Sequence, residues 1–298
     1  MKIRVEGTDE TKKIGDLSWA TDDEANGEEM NFSSLSLYDI GSHVKVTDKS
    51  GKCRYYGVIV SMEENVRPPH SYKAMDFSYN LKSDEIIQFK KLPADEAVKR
   101  LLKRSDIACS VCPIPTKITK IYKGTTIEIL KDILKKAKKD QGKSYYFEVI
   151  GTKVVVSEKR KKKINPQFIM SADGAISRSI EDLKNEVKIV KNNKVLAVAR
   201  DDSSIKRIGT VRVIDDSDIS KAKAVGEAKT QLAKLNRSKS TKQVTLLVEK
   251  GYWDIRKNRL IKLNGGGLKG WYNIRSSTHS IEGNIHKVDI EVEWSGKF

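Results

Sequence analysis

Hydrophobic and polar residues alternate along much of the chain, and the most informative stretch begins at residue 176. In the segment 176–196, ISRSIEDLKNEVKIVKNNKVL, Val187 and Ile189 lie two residues apart and therefore share one face of a strand. Asn192 and Asn193 follow, and asparagine tolerates the positive φ of a tight hairpin turn. Residues 179–183 indicate a short helical or irregular corner. The pattern predicts a β-hairpin that opens a strand-rich C-terminal part.

The rest of the segment 166–298 has the pattern of further strands around one helix. An apolar stripe with a cap at Asp216 or Ser217 predicts a helix that ends near Asn236. Strands are predicted at 208–214, 243–248, 260–263, 270–276 and 286–294, with polar turns at 201–204 and 236–242. In the last strand, alternate residues are expected to face a core, namely Val288, Ile290, Val292 and Trp294.

Short alternating runs also fill residues 1–112 and predict an antiparallel barrel or sandwich. The predicted strands are 2–5, 17–20, 30–35, 40–46, 54–60 and 74–81. In the last of these, Phe77 and Tyr79 are expected on one face. A helix is predicted at 93–104, because Pro93 suits a first helical turn and an apolar stripe follows it.

Residues 113–165 predict a small module made of one strand, one helix and a hairpin. Thr125 and Glu128 have the spacing of a capping box, and Gly142 is a suitable helix stop. A strand at 117–123 precedes the helix, and the hairpin spans 145–156. The three predicted domains are therefore 1–112, 113–165 and 166–298.

Composition places the chain among folded proteins rather than disordered ones, since 38% of its 298 residues are hydrophobic and 33% are charged. No run of 18 apolar residues is present, so no transmembrane helix is expected, and the N-terminus lacks the apolar core of a secretory signal. Three cysteines are too few for a disulfide scaffold and fit assembly in a reducing cytoplasm.

The net charge of +17 suggests a polyanionic partner, although lysine used for solubility explains it equally well. The segment 113–163 holds 15 Lys/Arg against 5 Asp/Glu. One interpretation is a polyanion-binding module with residues 159–163 as a phosphate-contacting tract. The favoured interpretation is a solvated helix face and a basic linker, because Tyr145, Tyr146 and Phe147 alternate between strand faces and form no stacking platform.

Candidate chemistry is sparse. Cys109 and Cys112 form a C-x-x-C, but a zinc site needs four ligands, and the four histidines are scattered at His43, His70, His279 and His286. A redox pair would need a strand-to-helix context that is missing here, so two half-buried thiols in a linker are the simpler interpretation.

Three further motifs have structural explanations. The glycines at 265–267 lead into a strand and suit a loop with positive φ, not a nucleotide site. The acidic residues Asp215, Asp216 and Asp218 precede a helix and suit capping. His279 with Asp254 or Glu282 lacks the sequence context of a nucleophile. The sequence therefore predicts no catalytic, cofactor-binding or metal-binding residues and no enzyme.

Two stretches resemble a known family. Residues 179–190, SIEDLKNEVKIV, and residues 270–281, GWYNIRSSTHSI, resemble the hub proteins of PBSX-type prophages. These belong to the late control gene D group of baseplate hubs in contractile phage tails and phage-tail-like bacteriocins. The order of predicted elements is similar over nearly the whole chain, although the chain is short for such hubs.

The resemblance implies a β-rich α+β fold. It implies two tail-tube-like antiparallel β-barrel domains with covering helices and a small α+β module between them. It implies a structural hub, a homotrimer whose pseudo-sixfold ring joins the sixfold tail tube to the threefold central spike. The implied partners are the spike, the tube or tube-initiator protein and the baseplate wedge proteins, with no membrane and with DNA only as cargo in the lumen. The particle baseplate is the implied location. The alternative function is a polyanion- or cell-wall-binding module centred on residues 113–165.

Overall fold

Strands dominate the computed structural model of this chain. It describes residues 1–21, 27–159, 162–170, 176–216, 220–250, 252–283 and 285–297. Of residues 295–297 only the backbone is described. The described residues form twenty-two β-strands, four α-helices and one 3₁₀ helix. The predicted β-rich α+β class is confirmed. No helix in the described ranges is long and apolar enough to cross a membrane.

The chain divides into two compact units. Unit 1 comprises Met1–Asp173 and Val244–Glu291, and unit 2 comprises Gly174–Gln243 and Val292–Phe298. Unit 1 thus combines the predicted first and middle domains with a large part of the predicted third. The boundaries at residues 112 and 165 stay a prediction.

The N-terminal strands of unit 1 form one antiparallel sheet. They are β1 (Lys2–Val5), β2 (Thr8–Asp9), β3 (Ile14–Thr21), β4 (Glu29–Ser34), β5 (His43–Thr47), β6 (Cys53–Glu63) and β7 (His70–Asp76). Their order in the sheet is β3-β4-β7-β6-β5-β1-β2. Alternate residues of these strands are buried, as the period of two requires, and Trp19, Met30, Val44 and Val46 lie in one core.

C-terminal strands extend this same sheet. They are β13 (Lys163–Ile164), β14 (Phe168–Met170), β19 (Arg237–Val248), β20 (Leu260–Gly265), β21 (Leu268–Glu282) and β22 (Ile285–Lys297). The order β14-β19-β22-β21 continues into β3, with His279 of β21 opposite Trp19 of β3. Val288, Ile290 and Val292 are buried as predicted, whereas Trp294 is only half-buried. Residues distant in sequence therefore share one sheet, which is what positions the buried site described below.

A second core lies within residues 81–156 of unit 1. Its elements are β8 (Asp84–Pro93), α1 (Ala94–Arg104), β9 (Ala108–Val111), β10 (Lys117–Thr125), α2 (Thr126–Gln141), β11 (Tyr145–Ile150) and β12 (Lys153–Glu158). Helix α1 shares this core with α2. The Thr125–Glu128 capping box and the left-handed Gly142 stop are confirmed.

Unit 2 is a small three-stranded sheet covered by a helix. Its elements are β15 (Ile176–Ser179), β16 (Glu186–Lys191), β17 (Lys194–Arg200), α3 (Asp202–Ile208), β18 (Arg212–Asp216) and α4 (Lys221–Leu235). The β16–β17 hairpin is confirmed, with positive φ at Asn192 and Asn193. Strand β18 pairs in parallel with β16, and Ala224 and Ala228 of α4 pack on Val187 and Ile189.

Four sequence predictions of secondary structure were wrong. The predicted strand 74–81 ends at Asp76, whose side chain caps a 3₁₀ helix at Phe77–Lys82. The residues predicted as a turn at 201–204 instead begin helix α3, with Asp201 as its N-cap. The helix ends at Ile208, which was predicted as the first residue of a strand. Asp216 ends β18 opposite Val190, so it does not cap α4, and Ser217 lies outside the described residues. The predicted loop 236–242 is mostly strand, because β19 pairs there with β15.

Candidate functional site

Two arginines and three carboxyl groups are buried together in unit 1. The Arg259 guanidinium lies 2.7 Å from both carboxylate oxygens of Glu148, and its other terminal nitrogen lies 3.1 Å from the Tyr146 hydroxyl. Arg256 lies 2.5 Å from Glu28 and 3.7 Å from Glu148. A paired, hydrogen-bonded guanidinium is the form in which arginine can be buried.

This buried ion cluster draws on three parts of the sequence. The two arginines come from the irregular segment 252–259, which precedes β20, and Glu148 comes from β11. Glu28 precedes β4, and its backbone N–H donates to the carboxylate of Asp76 at the end of β7 over 2.8 Å. The cluster therefore connects the large sheet, the second core and the C-terminal strands of unit 1.

The carboxyl groups outnumber the guanidinium groups in this cluster. Burial raises the pKa of Glu28 to about 7, against the opposing effect of Arg256, and burial also raises the pKa of Asp76. These groups pair with one another and with the Tyr146 hydroxyl, so the cluster ties three segments of unit 1 together.

A stack of aromatic and imidazole rings lies in the same unit. Trp19 of β3 stacks on Trp253 with ring centroids 3.9 Å apart and on His279 at 4.5 Å. His279 Nδ1 lies 3.0 Å from His286 Nε2, and His279 Nε2 lies 2.7 Å from the carbonyl oxygen of Ile255. The stack joins β3, β21 and β22 to the segment 252–259.

The two histidines are neutral at pH 7. Burial lowers the pKa of His279 to about 3 and also lowers the pKa of His286. His286 Nδ1 also lies 3.1 Å from the carbonyl oxygen of Glu249. Two neutral imidazoles carry one N–H each, so they supply two protons for three contacts. One of the three contacts is therefore not a hydrogen bond in the neutral pair.

The hypothetical catalytic arrangement around His279 does not form among the described residues. Both of its ring nitrogens face His286 and the Ile255 carbonyl, whereas Asp254 pairs with Lys162 at 3.4 Å. A general base needs a ring nitrogen within reach of a substrate. His279 is a structural residue of the sheet core.

The C-x-x-C also lacks the geometry of a reactive pair. Cys109 lies on β9 and Cys112 just after it; both are half-buried against the second core and neither forms a disulfide. Burial raises the pKa of the Cys109 thiol, which is opposite to what a redox thiolate requires. Across the described ranges, no three His, Cys, Asp or Glu side chains are grouped to hold a metal ion.

The other candidate motifs have local structural roles. Gly265, Gly266 and Gly267 all have positive φ and form the turn between β20 and β21, as predicted. Asp215 on β18 accepts a hydrogen bond from Gln231 at 2.6 Å, and Asp218 lies outside the described residues. These motifs stabilise turns and packing.

The basic residues of the middle segment are divided between solvent and internal contacts. Helix α2 exposes Lys131, Lys135, Lys136 and Lys138. Lys162 pairs with Asp254 at 3.4 Å, and the Lys163 ammonium lies 5.2 Å from the ring centroid of Trp271. Arg160 and Lys161 of the predicted phosphate-contacting tract lie outside the described residues.

Sequence reasoning missed the buried ion cluster. Arg256 and Arg259 lie in a polar segment with no periodicity, and lone arginines are usually exposed. The histidine pair left a weak signal, since His279 and His286 lie on either side of the turn at Gly283 within two alternating runs. A hairpin there would bring the two residues together.

Solved structures share this fold over nearly the whole chain. A 43 kDa tail protein of prophage MuSo2 from Shewanella oneidensis is 14% identical with a TM-score of 0.73, covering 98% of this chain and 97% of that one. A tail protein from Neisseria meningitidis is 15% identical with a TM-score of 0.70, covering 98% and 95%. An Escherichia coli type VI secretion component, described as similar to the bacteriophage T4 tail proteins gp27 and gp5, is 8% identical with a TM-score of 0.55, covering 98% and 76%.

A search of curated proteins found no match. The model of the YQBQ-like family matches residues 17–293. The resemblance drawn from residues 179–190 and 270–281 is confirmed, since a prophage tail protein and a second tail protein share the fold over at least 95% of either chain. The chain belongs to the YQBQ-like family.

Proposed function

We propose that this chain is the structural hub of a contractile-tail or tail-like bacteriocin baseplate. The observation that carries the proposal is the fold, which is shared with a prophage tail protein and a second tail protein over at least 95% of either chain. The likeness to a component described as similar to the T4 proteins gp27 and gp5 supports a place in the baseplate. The proposal gives the protein a structural role and no enzymatic one.

The proposed mechanism is the matching of shape and symmetry. Three copies form a ring whose strand-rich parts repeat six times, so that the ring fits a sixfold tube on one side and a threefold spike on the other. The buried ion cluster and the ring stack suit this role, because they hold distant segments of unit 1 in one arrangement. The partners are the spike, the tube or tube-initiator protein and the wedge proteins, and the lumen passes DNA or ions.

The mass of the purified protein in solution tests this proposal. Light scattering coupled to size-exclusion chromatography is measured on the protein alone and with the spike protein encoded nearby. A mass three times the 33.6 kDa of one chain, or a complex of three copies with a trimeric spike, supports the hub. A monomer that does not bind the spike contradicts it.

A polyanion- or cell-wall-binding role is the second candidate, because helix α2 exposes several lysines. Residues 113–165 alone are a poor test, since α1 and α2 share one core. The full chain is therefore compared with a variant in which Lys135, Lys136 and Lys138 are replaced by Ser. Binding to teichoic acid or duplex DNA that falls steeply with salt, and falls again in the variant, would favour this role. Binding unchanged by the variant would remove it.

A further inference from the structure

Four aliphatic side chains are exposed at one end of the sheet formed by the N-terminal strands. Leu35, Leu37 and Ile40 follow β4 and are 60%, 55% and 62% exposed, and Val66 precedes β7 and is fully exposed. Ser34 pairs with His70, so the two loops leave the sheet at the same end. These four residues are called the apolar end. Several exposed aliphatic residues at one place are typical of an interaction surface.

Hydrogen bonds fix the loop that carries three of these residues. The Tyr38 backbone N–H donates to the Tyr72 hydroxyl over 3.0 Å, and that hydroxyl donates to the Ser36 carbonyl over 3.1 Å. The Ser36 and Tyr38 hydroxyls both donate to Glu10. The polar side chains therefore face inward while the leucines and Ile40 face solvent. Such a pre-formed loop loses little entropy when a partner binds.

Acidic residues surround the apolar end. Asp39 and Glu64 are exposed in the same two loops, and Glu63 is exposed at the end of β6, with Arg67 as the opposing charge. Asp39 lies between Tyr38 and Ile40 in the loop that Tyr72 holds, and Glu64 lies two residues before Val66. An acidic, apolar surface on a chain of net charge +17 fits a basic, apolar partner surface.

The two-stranded ribbon β8–β10 of unit 1 is such a surface. Ile86 and Ile121 are 62% and 63% exposed, and the pairings Ile86–Lys123 and Gln88–Ile121 put them on one face as diagonal neighbours. Lys90 lies on the same face, and Arg100 and Arg104 of α1 line a groove beside β8. In the described part of the chain, β8 hydrogen-bonds to a strand on one side only. This surface is called the basic ribbon.

We propose that the apolar end of one copy docks onto the basic ribbon of a second copy. This inference rests on the proposed trimer. The aliphatic side chains of the two surfaces are buried against one another, while Asp39 and Glu64 meet the lysines of the ribbon. Because the two surfaces differ, the contact is head to tail, and a head-to-tail contact closes into a ring when its rotation allows.

Exposed substitutions test the interface without removing core residues. One variant carries Leu35→Ser, Leu37→Ser and Ile40→Ser, and a second carries Ile86→Ser and Ile121→Ser. Each is expected to be a monomer at concentrations at which the wild type is a trimer, with at least a tenfold rise in the dissociation concentration. The matched control carries Ile214→Ser and Val225→Ser, which are equally exposed in unit 2 and should leave the trimer intact.

Mixing the two variants gives the decisive measurement. Each keeps the surface that the other has lost, so the mixture should form dimers and no trimers. The far-ultraviolet circular dichroism of each variant should match that of the wild type, because the replaced side chains are exposed. A trimer that persists in either variant overturns this interface and leaves the proposed hub standing. A wild type that is monomeric both alone and with the spike contradicts the hub, and the interface with it.

The charges offer an independent test. Asp39→Lys with Glu64→Lys should weaken the trimer, and so should Lys90→Glu with Lys123→Glu. A chain that carries both reversals should form trimers at a concentration at least tenfold lower than either single reversal requires. The ion pairs are then restored with opposite signs. Failure of that rescue, together with trimers that withstand either reversal, would contradict docking between these two surfaces.

Discussion

At the scale of single residues, the buried pair of Arg259 with Glu148 should be critical for stability. Arg259→Met leaves the more distant Arg256 as the cationic partner of the buried Glu148 carboxylate, and we expect a loss of about 3–5 kcal/mol of unfolding free energy. The matched control is Arg200→Met, whose exposed pair with Asp202 should contribute less than about 1 kcal/mol. Urea denaturation at fixed protein concentration measures both values.

A double variant separates the pair from its packing. When Glu148→Met accompanies Arg259→Met, no buried carboxylate is left without its main partner, and the loss should be smaller than for Arg259→Met alone. An equal or larger loss in the double variant would show that geometry, not charge, accounts for the single substitution.

Glu28 should make stability dependent on pH between about 4.5 and 7. Its folded-state pKa is raised from 4.5 to about 7, so its contribution is present in full below pH 4.5 and is lost as the pH rises through 7. Glu28→Gln stays neutral and should remove up to about 3 kcal/mol of that decline. Unfolding free energies at pH 4.5, 6 and 8 measure the change.

His279 acts in the opposite direction over much of the same range. Its folded-state pKa is lowered from 6.5 to about 3, so its contribution is present above pH 6.5 and is lost as the pH falls toward 3. Both the wild type and Glu28→Gln retain this effect, so their difference isolates Glu28. Glu282→Gln, an exposed control, should follow the wild type. Parallel pH curves for wild type and Glu28→Gln would disprove the assignment.

At the scale of single elements, the capping box of α2 should contribute measurably. The Thr125 hydroxyl accepts the Glu128 N–H, and the Glu128 carboxylate accepts the Thr125 N–H over 3.0 Å. Thr125→Ala should cost about 1 kcal/mol of unfolding free energy, because the Glu128 N–H at the helix start loses its acceptor. Thr152→Ala in the exposed turn between β11 and β12 is the control and should change little. A cost below that of the control would indicate that water replaces the cap.

Elements with a strong local signal were predictable from the sequence, and those fixed by distant partners were not. The capping box and the asparagine turn are local, so α2 and the β16–β17 hairpin were predicted correctly. The first half of β19 is polar and becomes a strand because β15 pairs with it. The 3₁₀ helix after β7 depends on the Asp76 side chain, which also accepts from the distant Glu28. Periodicity contains no information about such partners.

At the scale of the whole molecule, the unforeseen feature is that β21 pairs with β3. Both strands alternate cleanly, and an alternating pattern fixes which face is buried but not which strand lies alongside. The same limit applies to the site, since Arg256 and Arg259 meet Glu28 and Glu148 only through this pairing of distant segments. The family resemblance supplied the fold class that the pattern alone left open.

The two units should differ in local stability. The core of unit 2 consists of Val187, Ile189 and four alanines, whereas α2 places Leu130, Ile133 and Leu134 in the much larger second core of unit 1. Buried apolar area sets most of the free energy of opening, so the small core should open more readily. Native-state hydrogen exchange should show the amides of Val187 and Ile189 exchanging faster than those of Leu130 and Ile133. Both pairs lie inside regular elements, so hydrogen bonding alone does not separate them. Equal exchange rates would mean that the chain opens as one cooperative unit. The size of the smaller core would then not determine how readily its amides exchange.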